Sequence, residues 1–174
     1  MDEQVGRGEA DRLDVSSGWE ADILDASLKA IAKRNVGMTV GFKVGSITDE
    51  IGSSDFFHAF FSTVSARLEH SWGARFPALM TKFYQGELQQ EDAAPALSEL
   101  ATIQSELRAF APSQIVWDID DKTKLPPWGT EIAPTITDLS NYFVTSTGRD
   151  LIETLREGIG ALREQGGVGR VVKY

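Results

Sequence analysis

Cysteine is absent from the 174 residues, and histidine occurs only as His58 and His70. The first absence removes disulfides, thiolate metal sites and cysteine nucleophiles together, and it fits a reducing compartment. The second leaves no material for a multi-histidine zinc site. Apolar runs are short as well. None approaches the roughly 20 residues of a membrane helix, and the acidic first residues argue against a secretory signal. Positive charge is also in deficit: 17 lysines and arginines face 26 aspartates and glutamates, a formal net of −9. Nucleic acid would meet a repulsive field unless basic residues were concentrated somewhere. The densest basic group, Lys29, Lys33 and Arg34, sits inside an acidic segment. Such a chain is better matched to a basic protein partner, although acidity also serves plain solubility.

What is present suffices for a core. With 41% hydrophobic and 25% charged residues, a chain of this length buries roughly 70% of its unfolded surface without covalent staples. Residues 1–37 differ from the rest. Met1 to Val15 is polar, and Ser17-Gly18-Trp19-Glu20 reads as a capping box. Ala21, Leu24, Leu28 and Ile31 follow at helical spacing, which predicts an amphipathic helix over about 17–36, ended by Gly37. Met38 then either starts the main domain, 38–174, with residues 1–37 as an N-terminal extension, or is simply internal.

Within 38–174, Val40, Phe42 and Val44 alternate as a strand, and Gly45 to Ser53 reads as a loop containing Asp49 and Glu50. Ser53 or Ser54 caps a helix whose Phe56, Phe57, Phe60, Phe61, Val64 and Leu68 form a wide apolar stripe. A short helix is expected from Pro77 to Tyr84. A third runs over Glu91–Phe110, with Pro95 in its first turn and Ala94, Leu97, Leu100, Ile103 (or Ala101), Leu107 and Phe110 inward. Gln114 to Ile119 reads as a second strand, a polar loop follows to Gly129, and Asp138 to Thr145 reads as a turn leading into a third strand. Leu151 to Leu162 forms a last helix weakened by Gly158 and Gly160, and Val168 to Tyr174 a closing strand. Helices and strands are interspersed without a βαβ repeat. The expected class is α+β, a small mostly antiparallel or mixed sheet packed on about four helices.

Two regions invite chemistry. Asp118-Ile119-Asp120-Asp121 after an apolar strand offers hard oxygen ligands of the kind that hold Mg²⁺. Its resemblance to the haloacid dehalogenase motif fails at Lys122, where threonine or valine is required. A metal-dependent hydrolase using Asp118, Asp120 and Asp121 is the rival reading, against solvated strand-end carboxylates. His58 sits beside the phenylalanine stripe and reads as a packed structural residue. Walker, dinucleotide and nucleophile-elbow patterns are lacking. Trp117 is expected in the interior. Trp128, after Pro126-Pro127, is either a stiffened binding anchor ringed by the aspartates or a lid folded back on the core.

These residues also carry a family resemblance. Thr39 through Gly52, the Phe56-Phe57-His58-Ala59-Phe60-Phe61 helix, Arg75-Phe76-Pro77 and Tyr84-Gln85-Gly86 resemble the immunity protein 70 family of bacterial polymorphic toxin systems. So do Val116-Trp117-Asp118-Ile119, Pro126-Pro127-Trp128-Gly129 and Ile136 through Thr145. The likeness covers about residues 38–160 and leaves out residues 1–37. It implies a cytoplasmic antidote that binds a cognate toxin domain, without catalytic residues, metal or cofactor. On that reading the partner-binding candidates are Asp118, Asp120, Asp121 and Trp128 as one patch, and Asp49 with Glu50 as a second. A basic toxin would be drawn to either, with no nucleic acid or membrane involved.

Overall fold

Alternation of Val40, Phe42 and Val44 with Gly41 and Lys43 builds β1 (Thr39–Val44) where the pattern places it, and all three alternating side chains are buried. The computed structural model describes residues 38–174; the expected helix over 17–36 and the extension to residue 37 lie outside them. A two-residue turn at Gly45-Ser46, with Gly45 at φ 58°, reverses the chain into β2 (Ile47–Ser53). The expected loop over Gly45–Ser53 is therefore a strand. Thr48, Asp49 and Glu50 hid it, because an edge strand needs no apolar alternation. β1 also pairs with β4 (Val168–Lys173), and β4 with the short β3 (Glu87–Gln89). The result is an antiparallel four-stranded sheet of order β2-β1-β4-β3.

Ser53 caps α1 (Ser54–Leu68) by accepting from the Phe56 amide at 3.1 Å, and Asp55 occupies the positive helix end. The apolar stripe fills its role: Phe60, Phe61 and Val64 are fully buried, and Ser62 and Thr63 behind them are buried too. From Ala59 to Ser65 every residue is buried, which makes the middle of this helix a central element. It packs on β1, β2 and α2 (Gln90–Leu107), while Phe143 lies edge-on to Phe56 and Phe60 from another side. The short helix after Pro77 is a π-helical segment, Ala78–Phe83, in which the Tyr84 amide reaches back five residues to Leu79. α2 starts at Gln90, so Pro95 stands in its second turn, and the inward residues are Ala93, Ala96, Leu100, Ile103 and Leu107. Ala94, expected inward, is exposed.

α3 (Leu151–Gln165) is capped by Asp150 and lies against β1, β2 and α2. Its two glycines are not equivalent. A Cβ at Gly158 would stand 2.7 Å from the Phe42 ring, whereas one at Gly160 would meet nothing within 4 Å. Helix propensity alone predicts equal gains from alanine at both. Gly160→Ala should instead stabilise by about 1 kcal/mol, raising Tm by about 2–4 °C. Gly158→Ala should destabilise by about 1 kcal/mol, since overpacking outweighs the propensity gain. Equal shifts in thermal melts would contradict the placement of Phe42.

Between α2 and α3 the chain is irregular, which corrects two expected strands. Gln114 ends a 3₁₀ turn (Pro112–Gln114), and residues 115–119 follow without a partner strand, bending at Trp117 and Ile119. Their backbone is satisfied by α1 instead. Thr63 Oγ1 donates to the Val116 carbonyl at 3.0 Å and accepts from its amide at 3.2 Å. Ser62 Oγ accepts from Ile119 N, and Arg67 Nε donates to the Gln114 carbonyl. These buried hydroxyls do what a neighbouring strand would do. Residues 138–145 form turns around Asp138 and Asn141, with a single bridge between Val144 and Asp150. No helix among the described residues is long and apolar enough to cross a membrane.

Candidate functional site

The tether on α1 fixes where the acidic stretch emerges. Trp117 is buried, as expected, and Asp118 follows at 9% exposure. Asp118 organises the loop after it. Its Oδ1 accepts from the amides of Asp120 (2.9 Å) and Asp121 (3.2 Å), and its Oδ2 accepts from Lys124 Nζ at 2.6 Å. The Lys124 ammonium, helped by the two amides, holds the Asp118 carboxyl at about 2, against the resistance of burial. The same bond raises Lys124. Asp121 is spent on Thr123, whose amide and hydroxyl both donate to it, while Asp120 is exposed.

His58 approaches the same carboxylate from α1, its Nε2 3.4 Å from Asp118 Oδ1 and its Nδ1 2.7 Å from Tyr84 Oη. Burial, followed by the charges of Asp120 and Asp118, raises the Tyr84 hydroxyl. Tyr84 in turn stacks on Phe57 and meets Trp72 edge-on at 4.9 Å. His58 is therefore a partly buried residue, bonded to Tyr84 through Nδ1 and close to Asp118 at Nε2. No sequence signal links it to Asp118, sixty positions on, or to Tyr84. Ligand atoms of His58, Asp118 and Asp120 lie within 4.8 Å of one another. A divalent ion there would have to displace Lys124 and compete with two backbone amides for Asp118. Asp121, the third carboxylate of the metal reading, stands outside that group.

Trp128 folds back while keeping 40% exposure. Its indole N–H donates to Tyr142 Oη at 2.9 Å, and its ring meets Trp117 edge-on with centroids 5.2 Å apart. Tyr142 then contacts Phe143, and Phe143 contacts Phe60, so an aromatic chain joins the loop to the core. Beside this loop runs a groove of about 890 Å³, lined on one side by Arg67, Glu69, His70 and Trp72, and on the other by residues from Pro112 to Ile132. Asp118 and Asp120 are on it. Asp49 and Glu50 are not. They are consecutive strand residues on opposite faces of β2: Asp49 stands opposite Phe42 and 3.4 Å from Arg149, while Glu50 stands opposite Gly41 and accepts from the Ser146 hydroxyl. The two acidic groups are separate places.

The class of this α+β domain comes from the family it matches, which is one of immunity proteins. The chain is a member of the immunity protein 70 family, whose description matches residues 42–168. No curated protein and no solved structure matches the chain.

Proposed function

We propose that the protein binds a cognate toxin domain in the cytoplasm and neutralises it by direct contact, without catalysis. The observation that carries this is membership of an immunity family over residues 42–168, a span that includes the whole Asp118–Trp128 loop. Physical features support that loop as the contact region. It is tied down by Asp118, Lys124 and the Trp128–Tyr142 bond, so little ordering entropy remains to be lost on binding. A half-exposed tryptophan beside charged groups is the composition of an interface anchor. The net charge of −9 adds a long-range field that draws a basic partner and disfavours nucleic acid as ligand.

The test is co-expression of the full chain with the toxin domain encoded beside its gene, followed by capture and by survival of the host. Capture and survival are expected together. In the captured complex, Asp120→Lys combined with Asp121→Lys should weaken affinity about tenfold and flatten its salt dependence. Survival without any measurable complex would overturn the proposal.

A further inference from the structure

We propose that the outer edge of β2 receives an extended segment of the basic partner polypeptide as a fifth strand of the sheet. The inference rests on the toxin-binding reading and adds to it a second place of contact and its mode, main chain against main chain.

The register determines which backbone groups are offered. Thr39 and Tyr174 exchange both of their hydrogen bonds, at 2.8 and 3.0 Å, and so form a hydrogen-bonded pair between β1 and β4. Alternation then turns the backbone of Gly41 and Lys43 toward β4, where their partners are Val172 and Arg170. Phe42 and Val44 turn theirs the other way, toward Asp49 and Ile47 of β2. On β2 itself, Ile47 and Asp49 therefore bond inward, and Thr48 and Glu50 present their N–H and C=O groups outward. Among the described residues, no backbone group outside the β1–β2 ladder bonds either of them.

The same edge already takes a main-chain partner at its far end. Ser146 N donates to the Ile51 carbonyl at 3.1 Å, and the Ser146 hydroxyl donates to Glu50. From Ile47 to Glu50 the edge is open, with Ile47 at 59% exposure and Thr48 exposed as well. Neither proline nor lysine blunts this strand, and Ile47 and Thr48 are β-branched residues that favour pairing. β3, at the opposite edge of the sheet, has only three residues to offer.

Charge decides between a partner and a second copy. Around the edge stand Asp49, Glu50 and Glu157 against Arg149 and Lys43, and Arg149 bonds both Asp49 and Glu157. These groups nearly cancel, so the edge selects by main chain and not by local charge. The whole chain carries −9, so two copies repel as their edges approach, whereas a basic polypeptide is attracted. A segment laid here would alternate its side chains between the Ile47–Asp49 face and the Thr48–Glu50 face.

The test reads backbone amides of the full chain labelled with ¹⁵N. Without a partner, the amides of Thr48 and Glu50 should exchange with solvent about a hundredfold faster than that of Asp49 between them. The blocked peptide lysine–valine–threonine–valine–threonine–lysine should slow both about tenfold at saturation, with Kd on the order of 1 mM. Its counterpart N-methylated at the four central residues should leave both unchanged. Thr48→Pro deletes an outward donor and no bond to β1. It should keep Tm within about 4 °C and weaken peptide binding about tenfold. Thr48 and Glu50 amides as slow as Asp49 in the free chain, equal binding of the two peptides, or no effect of Thr48→Pro each overturns the strand addition. So does a dimer at about 100 μM that Thr48→Pro dissociates, which gives the edge to a second copy. In the captured toxin complex Thr48→Pro should also cost about tenfold in affinity. Full affinity there overturns the strand addition and leaves toxin binding standing. Failure of the unaltered chain to capture the toxin overturns toxin binding and leaves the peptide result standing.

Discussion

Phe42→Ala should destabilise the protein by about 3–5 kcal/mol, measured as a fall in the urea midpoint of the full chain. Phe42 stands on β1, a central strand paired on both sides, and is 1% exposed. Its ring meets Phe83 edge-on at 4.9 Å and lies against Gly158 of α3 and Gly169 of β4. Sheet, π-helical segment and last helix therefore converge on one side chain. Removing it leaves a void that rigid backbone on two sides cannot collapse into, which places the loss at the upper end for a buried aromatic. The glycines supply a control. A Cβ at Gly169 would come within 2.5 Å of the Phe42 ring, so Gly169→Ala alone should cost about 1–3 kcal/mol. In the Phe42→Ala background the same change should cost close to nothing. Strict additivity of the two substitutions would show that the ring does not rest on Gly169.

That arrangement also marks how far the sequence was readable. The inward face of β1 and the apolar stripe of the phenylalanine helix follow from periodicity, because apolar side chains recur there at strand and helix spacing. The closeness of Gly158 and Gly169 to Phe42 does not follow, since it is set by how α3 crosses the sheet, and a glycine looks the same whether it weakens a helix or makes room for a ring. β2 and β3 escaped for a different reason: one is a polar edge and the other has three residues. Residues 114–119 read as a strand from their apolar run but form none; Ser62 and Thr63 bond their backbone where a partner strand would.

The site divides in the same way. Asp118, Asp120, Asp121 and Trp128 are near one another because they are near in the chain. Asp49 and Glu50 were grouped by the same reasoning and are parted by strand alternation, which turns neighbours to opposite faces. What the sequence could not display is the state of each charge. Lys124 was visible as a cation, not as the partner that removes Asp118 from the negative surface, and His58 and Tyr84 join it only through tertiary packing.

Asp118→Ala should cost about 2–3 kcal/mol at neutral pH, and the part of the loss that comes from the charge of Asp118 should disappear in acid. The carboxylate is the common acceptor for Lys124 and for two loop amides, so alanine removes the ion pair and leaves two amides without their acceptor. Its folded value of about 2 lies below the ordinary 3.8. The shift corresponds to stabilisation on the order of 2 kcal/mol, present in full above the unfolded value and lost as pH falls through the folded one. Wild type and Asp118→Ala should therefore differ fully at pH 6, and their difference should shrink steadily between about pH 4 and pH 2. Asp118→Asn separates the two contributions. Its side-chain oxygen still accepts from the Asp120 and Asp121 amides, but it gives Lys124 no ion pair, so it should recover about half of the loss and none of the pH dependence. If the whole effect were packing, all three proteins would keep constant differences across that pH range. The loop links this to binding. Trp128 is carried ten residues beyond Asp118, and its indole hydrogen bond to Tyr142 requires the loop's path to be held. In Asp118→Ala the Trp128 fluorescence should shift to the red, and affinity for the toxin domain should fall by more than the loss of one surface charge explains.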